Sequence, residues 1–328
     1  MKKILQRLAE HQTLTKKEAK EALFAISKGE VNNSQIAAFL TVFMMRSITV
    51  DELSGFRETL QELCLPVDFS EFNTIDLCGT GGDSKNTFNI STLSSLVVAG
   101  AGEKVAKHGN YSVSSSCGSS NVMEHFGYKF TNDTDKLRRQ IDKHNICFFH
   151  APLFHPAMKT VAPIRRELGM KTFFNVLGPV INPSKPQNQL AGVYNLETMR
   201  MYNYILQQTD KNYIIVHSLD GYDEISLTGD FKLTTNHTEE VLRPEDLGFR
   251  QLKEEELFGG NSVTEAAEIF SSVLNGNGTE AQNNAVLSNA GMALKCIRPE
   301  KSLETCIEDA RTSLMGGRAL HALKQITN

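Results

Sequence analysis

The chain has no excess of positive charge. Its 34 Lys and Arg stand against 38 Asp and Glu, a net charge of -4. No general basic field therefore draws it to nucleic acid or to a membrane surface, and any anionic ligand must be held by a few placed groups. No apolar run approaches the ~20 residues that a membrane span needs. The first twenty residues carry basic side chains but no apolar h-region, which argues against a signal peptide. None of the six cysteines (Cys64, Cys78, Cys117, Cys147, Cys296 and Cys306) forms a C-x-x-C pair, so zinc ribbons and thioredoxin-like chemistry have no support. Reduced thiols in a cytoplasmic protein are the expectation, with Cys64, Cys147 and Cys296, beside apolar neighbours, as small core residues. There is no tandem repeat, no low-complexity tract, no H-E-x-x-H and no Ser-His-Asp order, so a hydrolase or zinc enzyme is unsupported.

What is present is a long globular chain. Its 328 residues, 40% hydrophobic and 22% charged, suffice for a large core and usually for two domains. Residues 1–66 read as helical. Thr15-Lys-Lys-Glu18 fits a capping box before Ala19–Ser27, Asn33-Ser34 can cap Gln35–Met45, and Val50-Asp51-Glu52 opens a further helix that Pro66 stops. The period then changes. Strand-like runs at Asn73–Cys78, Lys104–Lys107, Ile146–His150, Leu190–Tyr194 and Tyr213–His217 alternate with helical ones at Ser91–Ala101, Val122–Phe126, Lys136–Lys143 and Leu196–Gln207. His108-Gly109-Asn110 reads as a loop. Residues 231–262 read as loops and minor strands, and two further helices are split by the Asn-Gly-Asn-Gly turn at 275–278. Pro156–Leu168 reads as helical, packing back on the first domain. Such alternation predicts an α/β fold: a small N-terminal helical domain (1–66, with helices around 156–185 returning to it) and a larger α/β domain (72–328) with a mostly parallel sheet flanked by helices. Chemistry in such sheets gathers outside the carboxyl ends of the strands.

Five groups of residues stand out, four at strand ends or helix starts and the fifth on the helical stretch Pro156–Leu168. Gly79-Thr80-Gly81-Gly82-Asp83 follows a strand, where successive amides can nest an anion; its spacing is neither a P-loop nor G-x-G-x-x-G. Asn89-Ile90-Ser91-Thr92 opens a helix and can hold phosphate there, or simply cap it. Lys107-His108-Gly109-Asn110 offers a cation, an imidazole and an amide, and Ser114–Ser120 a second polar cradle or a plain flexible loop. Asp223-Glu224 suits Mg²⁺, a hard cation that often bridges to substrate phosphates. Arg165-Arg166 offers a fork for a carboxylate. Each has a plain reading as a turn, cap, solvated loop or surface pair. Together they describe a site for a phosphorylated sugar and a metal.

In order and spacing, the motifs Asp76-Leu-Cys-Gly-Thr-Gly-Gly-Asp83, Asn89-Ile-Ser-Thr92, Lys107-His-Gly-Asn110, Ser115-Ser-Cys-Gly-Ser-Ser120, His155-Pro-Ala-Met158, Ala162-Pro-Ile-Arg-Arg-Glu-Leu-Gly169, Phe174-Asn-Val-Leu-Gly-Pro179 and Asp223-Glu-Ile-Ser-Leu227 closely resemble those of the anthranilate phosphoribosyltransferases. The glycine-rich and Lys-His-Gly-Asn motifs are also similar to those of the pyrimidine nucleoside phosphorylases, the first alternative; a catalytically silent nucleic-acid-binding paralogue is the second. The resemblance implies transfer of the phosphoribosyl group of phosphoribosyl pyrophosphate to anthranilate, in tryptophan biosynthesis, by a cytoplasmic homodimer joined through its helical domains. It implies donor contacts at Gly79, Gly82, Asp83, Thr87, Asn89, Ile90, Ser91, Thr92, Lys107, His108, Gly109, Asn110 and Ser119. Anthranilate contacts are implied at Gly79, Asn110 and Arg165, with His108, His155 and Gly178 nearby, and Mg²⁺ ligands at Ser91, Asp223 and Glu224. No strong general base or nucleophile is expected, and neither nucleic acid nor membrane is an expected partner. Two positions depart from the pattern: Tyr111 stands where a basic residue is expected, and Asn121 where an aspartate is usual.

Overall fold

The structure, a computed structural model, describes residues 1–112 and 116–327; Ser114 and Ser115 of the polar cradle lie outside them. Four helices open the chain: α1 (Lys2–Ala9), α2 (Lys16–Ser27), α3 (Asn33–Met45) and α4 (Val50–Leu63). Thr15 and Glu18 form the reciprocal box that starts α2, and Thr49 and Glu52 do the same for α4. The cap of α3 is one residue earlier than expected. Asn32, not the Asn33-Ser34 pair, accepts the Gln35 N–H, because Asn33 already has helical geometry.

Five parallel strands follow: β1 (Thr74–Gly79), β2 (Lys104–Gly109), β3 (Ile146–His150), β4 (Asn188–Gly192) and β5 (Asn212–Ser218). Antiparallel β6 (Phe231–Thr235) and β7 (Glu239–Leu242), in the stretch read as loops and minor strands, complete one seven-stranded sheet of order β3-β2-β1-β4-β5-β6-β7. The expected loop at His108-Gly109 is a correction. Both residues stay in β2, paired with Phe149 and His150 of β3, and the chain leaves the sheet only at Asn110.

The remaining helices are α5 (Ile90–Gly100), α6 (Ser119–His125), α7 (Thr134–His144), α8 (Ala151–Phe154), α9 (Ala162–Leu168), α10 (Leu196–Leu206), α11 (Val263–Leu274), α12 (Glu280–Ile297), α13 (Leu303–Met315) and α14 (Arg318–Thr327). The single helix expected over Pro156–Leu168 is a 3₁₀ turn at Pro156–Lys159 and then α9; Pro163, with no N–H to donate, sits in the first turn of α9 rather than in a continuous helix.

Strand alternation sorts the core. Ile75, Leu77, Val105, Phe148, Leu190 and Val216 face one side and pack with α5 and α11–α14. On the other side Ala191, Tyr213 and Ile215 pack with α10, α2–α4 and the segment 157–181, while Ala106, Cys147 and Phe149 meet α7 and α8. The period-2 side-chain geometry of strands makes this division. An aromatic cluster ties the first four helices to the later segment: Phe56 stacks on Phe173 at 4.4 Å, and Phe39 and Phe43 meet Phe173 edge-on. No helix among the described residues is long and apolar enough to cross a membrane.

Candidate active site

At the carboxyl ends of the strands lies a cavity of about 440 Å³ between the sheet and the segment 151–181. One of its ends is built from carboxylates. The loop after β5 drops Asp223 and Glu224 against the ends of β1 and β4, and two glycines make room for it. A Cβ on Gly79 would collide with the Asp223 carboxylate, and one on Gly192 with the Asp223 carbonyl. Asp223 Oδ2 accepts the Gly81 N–H at 2.6 Å, and Glu224 Oε1 accepts the Ser91 N–H at 3.0 Å. The amides expected to nest a ligand anion thus hold protein carboxylates: the glycine loop grips Asp223 and the start of α5 grips Glu224. Burial first, then the neighbouring Asp83 charge, pushes Asp223 up to about 7. Burial, with Asp223 and Asp83, pushes Glu224 well above its ordinary range, and burial raises Asp83. None of the three forms an ion pair of 4 Å or less among the described residues. This is the electrostatic condition a divalent cation relieves. No three-ligand cage of His, Cys, Asp or Glu is assembled among the described residues. The hard oxygen donors present, the Asp223 and Glu224 carboxylates, are of the kind Mg²⁺ takes, one or two of them with water and substrate phosphates completing its shell.

The middle of the cavity is a polar cradle. Asn89 precedes α5 without capping it; its Nδ2 donates to the Cys117 carbonyl at 3.0 Å, while its buried Oδ1 and the Thr92 hydroxyl have no partner among the described residues. Buried polar atoms without partners carry a cost that a bound ligand removes. Lys107, 1% exposed, donates to the Leu77 carbonyl at 2.6 Å. Ser119 Oγ accepts the Asn110 N–H at 3.3 Å, and sits where a Cβ on Gly109 would stand, so a side chain there would turn the hydroxyl away.

The other end carries cations and imidazoles. Arg165 on α9 donates from Nη2 to Asn175 Oδ1 at 3.1 Å and lies over the Phe174 ring at 5.2 Å. Phe174 in turn stacks on Phe173 at 4.5 Å, so the aromatic cluster of the first four helices fixes the guanidinium. Arg165 forms no ion pair among the described residues, and its buried Nε is unpartnered, so the plain surface-pair reading fails for it; Arg166 is exposed. His108 and His155 stand with ring centroids 5.3 Å apart. His108 Nδ1 meets the Gly178 carbonyl at 3.0 Å while its Nε2 has no partner. Backbone groups of Leu60 and Ile181 face the His155 ring, but among the described residues neither ring nitrogen meets a partner at full hydrogen-bond geometry. Burial, then His108, holds His155 down to about 3, and burial lowers His108.

The cavity brings together Gly79, Gly82, Asp83, Thr87, Asn89, Ser91, Thr92, Lys107, His108, Gly109, Asn110, Ser119, Arg165, Asp223 and Glu224. Ile90 is the correction. Its side chain, 1% exposed, belongs to the hydrophobic core rather than to the cavity wall, because the first turn of α5 faces the sheet at that position. Sequence reasoning passed over Lys85, Asn175 and Lys171. Lys171 donates to the Gly82 carbonyl at 2.5 Å and the Ser84 hydroxyl at 2.9 Å, so it straps the glycine loop. Tyr111 donates its hydroxyl to Glu124 at 2.7 Å, and Asn121 Oδ1 accepts the Gly118 and Ser112 N–H groups at 3.0 and 3.1 Å. Asn121 therefore keeps the acceptor role open to an aspartate at that place.

Comparison with known proteins agrees with this geometry. The glycosyl transferase family α/β domain matches residues 71–320, and the helical bundle domain of the same family matches residues 2–64. The anthranilate phosphoribosyltransferase of Flavobacterium johnsoniae is 60% identical over 99% of this chain and 98% of its own, and that of Bacteroides fragilis is 54% identical over 99% and 98%. Among solved structures, the anthranilate phosphoribosyltransferase of Thermus thermophilus superposes with a TM-score of 0.91 at 30% identity, covering 98% of both chains. The Saccharomyces cerevisiae enzyme in complex with phosphoribosyl pyrophosphate and Mg gives 0.90 at 25% identity, covering 98% of this chain and 95% of that one. Sequence and fold thus converge, and the chain belongs to the anthranilate phosphoribosyltransferases, within the glycosyl transferase family that joins a helical bundle to an α/β domain.

Proposed function

We propose that the two ends of the cavity divide the two substrates of phosphoribosyl transfer. The phosphoribosyl pyrophosphate donor lies along the carboxylate end and the cradle, against Gly79, Gly82, Asp83, Thr87, Asn89, Ser91, Thr92, Lys107 and Ser119. Anthranilate lies toward the other end, its carboxylate on Arg165, with Gly79 and Asn110 as further contacts and His108, His155 and Gly178 beside it. The observation that carries this reading is the separation of charge: buried Asp223 with half-buried Asp83 and Glu224 at one end, none of them in an ion pair of 4 Å or less among the described residues, and Arg165, likewise unpaired among them, at the other.

Residues Ser91, Asp223 and Glu224 would hold Mg²⁺, which, when bound, stabilises the charge that grows on the departing pyrophosphate. The chain's own groups do the rest. Lys107 faces donor phosphate as a point charge. The amide of Gly81 and the start of α5, now occupied by Asp223 and Glu224, fix where those carboxylates stand. Arg165, braced by Phe174 and Asn175, grips the acceptor carboxylate and points the aromatic amine at the anomeric carbon, which supplies proximity and orientation. That amine is already a free base at neutral pH, so no strong general base is required, and His108 and His155, held neutral by burial, add no charge that would repel the developing sugar cation. Closure of the helical segment over the sheet excludes water that would hydrolyse the donor.

We assign the working form as a cytoplasmic homodimer joined through the helical domains, 1–66 with the segment around 156–185, apart from the α/β domain of 72–328. Met45 at the end of α3, 82% exposed, is support for an apolar contact there. The experiment that tests the reading is fluorimetric loss of anthranilate with and without donor and Mg²⁺, run beside sedimentation of the same sample. Loss that needs both additions, from a particle of twice the chain mass, is expected; loss without donor overturns the donor assignment, and a monomer overturns the dimer.

A further inference from the structure

Outside the residues already given roles, one cation stands at the carboxylate end of the cavity. Lys85 lines it, two residues beyond Asp83, whose Oδ1 accepts the Lys85 N–H at 3.0 Å. The ammonium lies over the Tyr222 ring at 4.5 Å, next in sequence to Asp223, and pairs with Glu254 at 3.2 Å. The other nearby cations are occupied differently: Lys107 by a buried carbonyl and Lys171 by the backbone and hydroxyl of the glycine loop.

The position of the Lys85–Glu254 pair is set by backbone. The Phe88 N–H donates to the Leu257 carbonyl at 3.1 Å, the Gly259 N–H to the Asn86 carbonyl at 2.8 Å, and Asn86 Nδ2 to the Gly260 carbonyl at 2.9 Å. These bonds zip residues 86–88 to 257–260 and so bring Lys85 opposite Glu254, 169 residues later. The register is firm, but the ion pair itself is soft. The Glu254 side chain is 66% exposed and that of Lys85 22%. An exposed carboxylate in water holds such a partner by less than ~1 kcal/mol. A phosphate oxygen in the cavity, less screened and more highly charged, is the better partner.

We propose that Lys85 is a donor-recognition residue, and that Glu254 is its exchangeable counter-ion. When the donor enters, the Lys85 ammonium leaves Glu254 for a phosphate oxygen at the carboxylate end, and the Tyr222 ring guides the swing while the zipped backbone stays in place. Glu254 thus competes with the donor for one cation and weakens donor binding slightly. This inference rests on the donor lying at the carboxylate end, as proposed above.

The test is steady-state kinetics on four variants beside the unaltered protein. Lys85→Gln should raise the donor KM about 10-fold, the loss of one charge-assisted contact, with the anthranilate KM unchanged and kcat within about twofold. Lys85→Arg should recover most of that loss. Glu254→Gln should lower the donor KM about twofold. The exchanged pair Lys85→Glu with Glu254→Lys restores the ion pair across the zipped segment but puts the cation on the wrong side, so it should remain as weak toward donor as Lys85→Gln. A structural latch would instead be rescued by the exchange, and that rescue overturns the proposal. So does a donor KM left unchanged in Lys85→Gln, with thermal melting showing each variant folded. If the unaltered protein fails to consume anthranilate with donor and Mg²⁺, the donor-site reading itself falls, a result distinct from either of these.

Discussion

The two ends of the cavity are built by opposite means. The carboxylate end is assembled almost wholly from backbone: glycines that admit Asp223, and amides that hold Asp223 and Glu224. The arginine end is assembled from side chains: Phe56 on Phe173, Phe173 beside Phe174, Phe174 under Arg165, and Asn175 on its fork. Charge without an ion-pair partner within 4 Å among the described residues stands at both: Asp83, Asp223 and Glu224 at one, Arg165 at the other. At one end burial drives carboxylates toward their protonated form; at the other it keeps imidazoles neutral. A backbone-built end tolerates little change in geometry, whereas a side-chain-built end fails one contact at a time.

Perturbing one end alone sharpens that contrast. The largest effect is expected for Asp223→Asn with Glu224→Gln. Losing several kcal/mol of transition-state stabilisation lowers turnover by about 10³-fold, while equilibrium binding of anthranilate, read by fluorescence, stays within about twofold. Gly79→Ala comes next. Its methyl displaces Asp223, and misplacement of a reacting group by about 1 Å costs on the order of 10²-fold; kcat should fall by that order, and an unchanged kcat would show that the glycine is needed only for the turn. Arg165→Ala removes a charge-assisted grip and should raise the anthranilate KM by about 30-fold, 2 kcal/mol, leaving the donor KM within about twofold. Equal effects on both substrates would dissolve the division of the cavity.

The smallest effect is on acid stability. An unfolded histidine takes up a proton near pH 6.5, while folded His155 stays neutral down to about 3. Between those values the unfolded chain binds more protons, so stability falls as pH drops, by about 2 kcal/mol from pH 6.5 to pH 5 for this residue. Urea unfolding at the two pH values should show a shallower decline in His155→Gln; an identical decline would mean that His155 is accessible to protons in the folded chain.

Much of the backbone-built end was legible. The glycine cluster after β1, the two carboxylates after β5 and the Asn-Ile-Ser-Thr start of α5 are local signals, and each sits at the strand end or helix start where the alternation of elements placed it. The errors are also local in origin. His108-Gly109 reads as a loop because Gly before Asn is a turn signal, yet pairing with β3 outweighs it. Ile90 lies inside a polar motif and so reads as part of the cradle, but helix geometry turns it into the core. The side-chain-built end was less legible. Composition and spacing show Arg165 only as half of an Arg-Arg pair, the family resemblance alone marks it for the acceptor, and nothing in the sequence connects it to Phe56 through two intervening rings. The Lys85–Glu254 pair is hidden in the same way, since 169 residues separate two groups that a backbone zipper brings to 3.2 Å.

The most direct measurement of the divided cavity is anomalous diffraction from a crystal in which Mn²⁺ replaces Mg²⁺, grown with phosphoribosyl pyrophosphate and an unreactive anthranilate analogue. The account predicts a metal peak at Asp223 and Glu224, bridged to the pyrophosphate, with the analogue's carboxylate on Arg165. A metal peak away from both carboxylates, or an analogue carboxylate turned toward them, would contradict it.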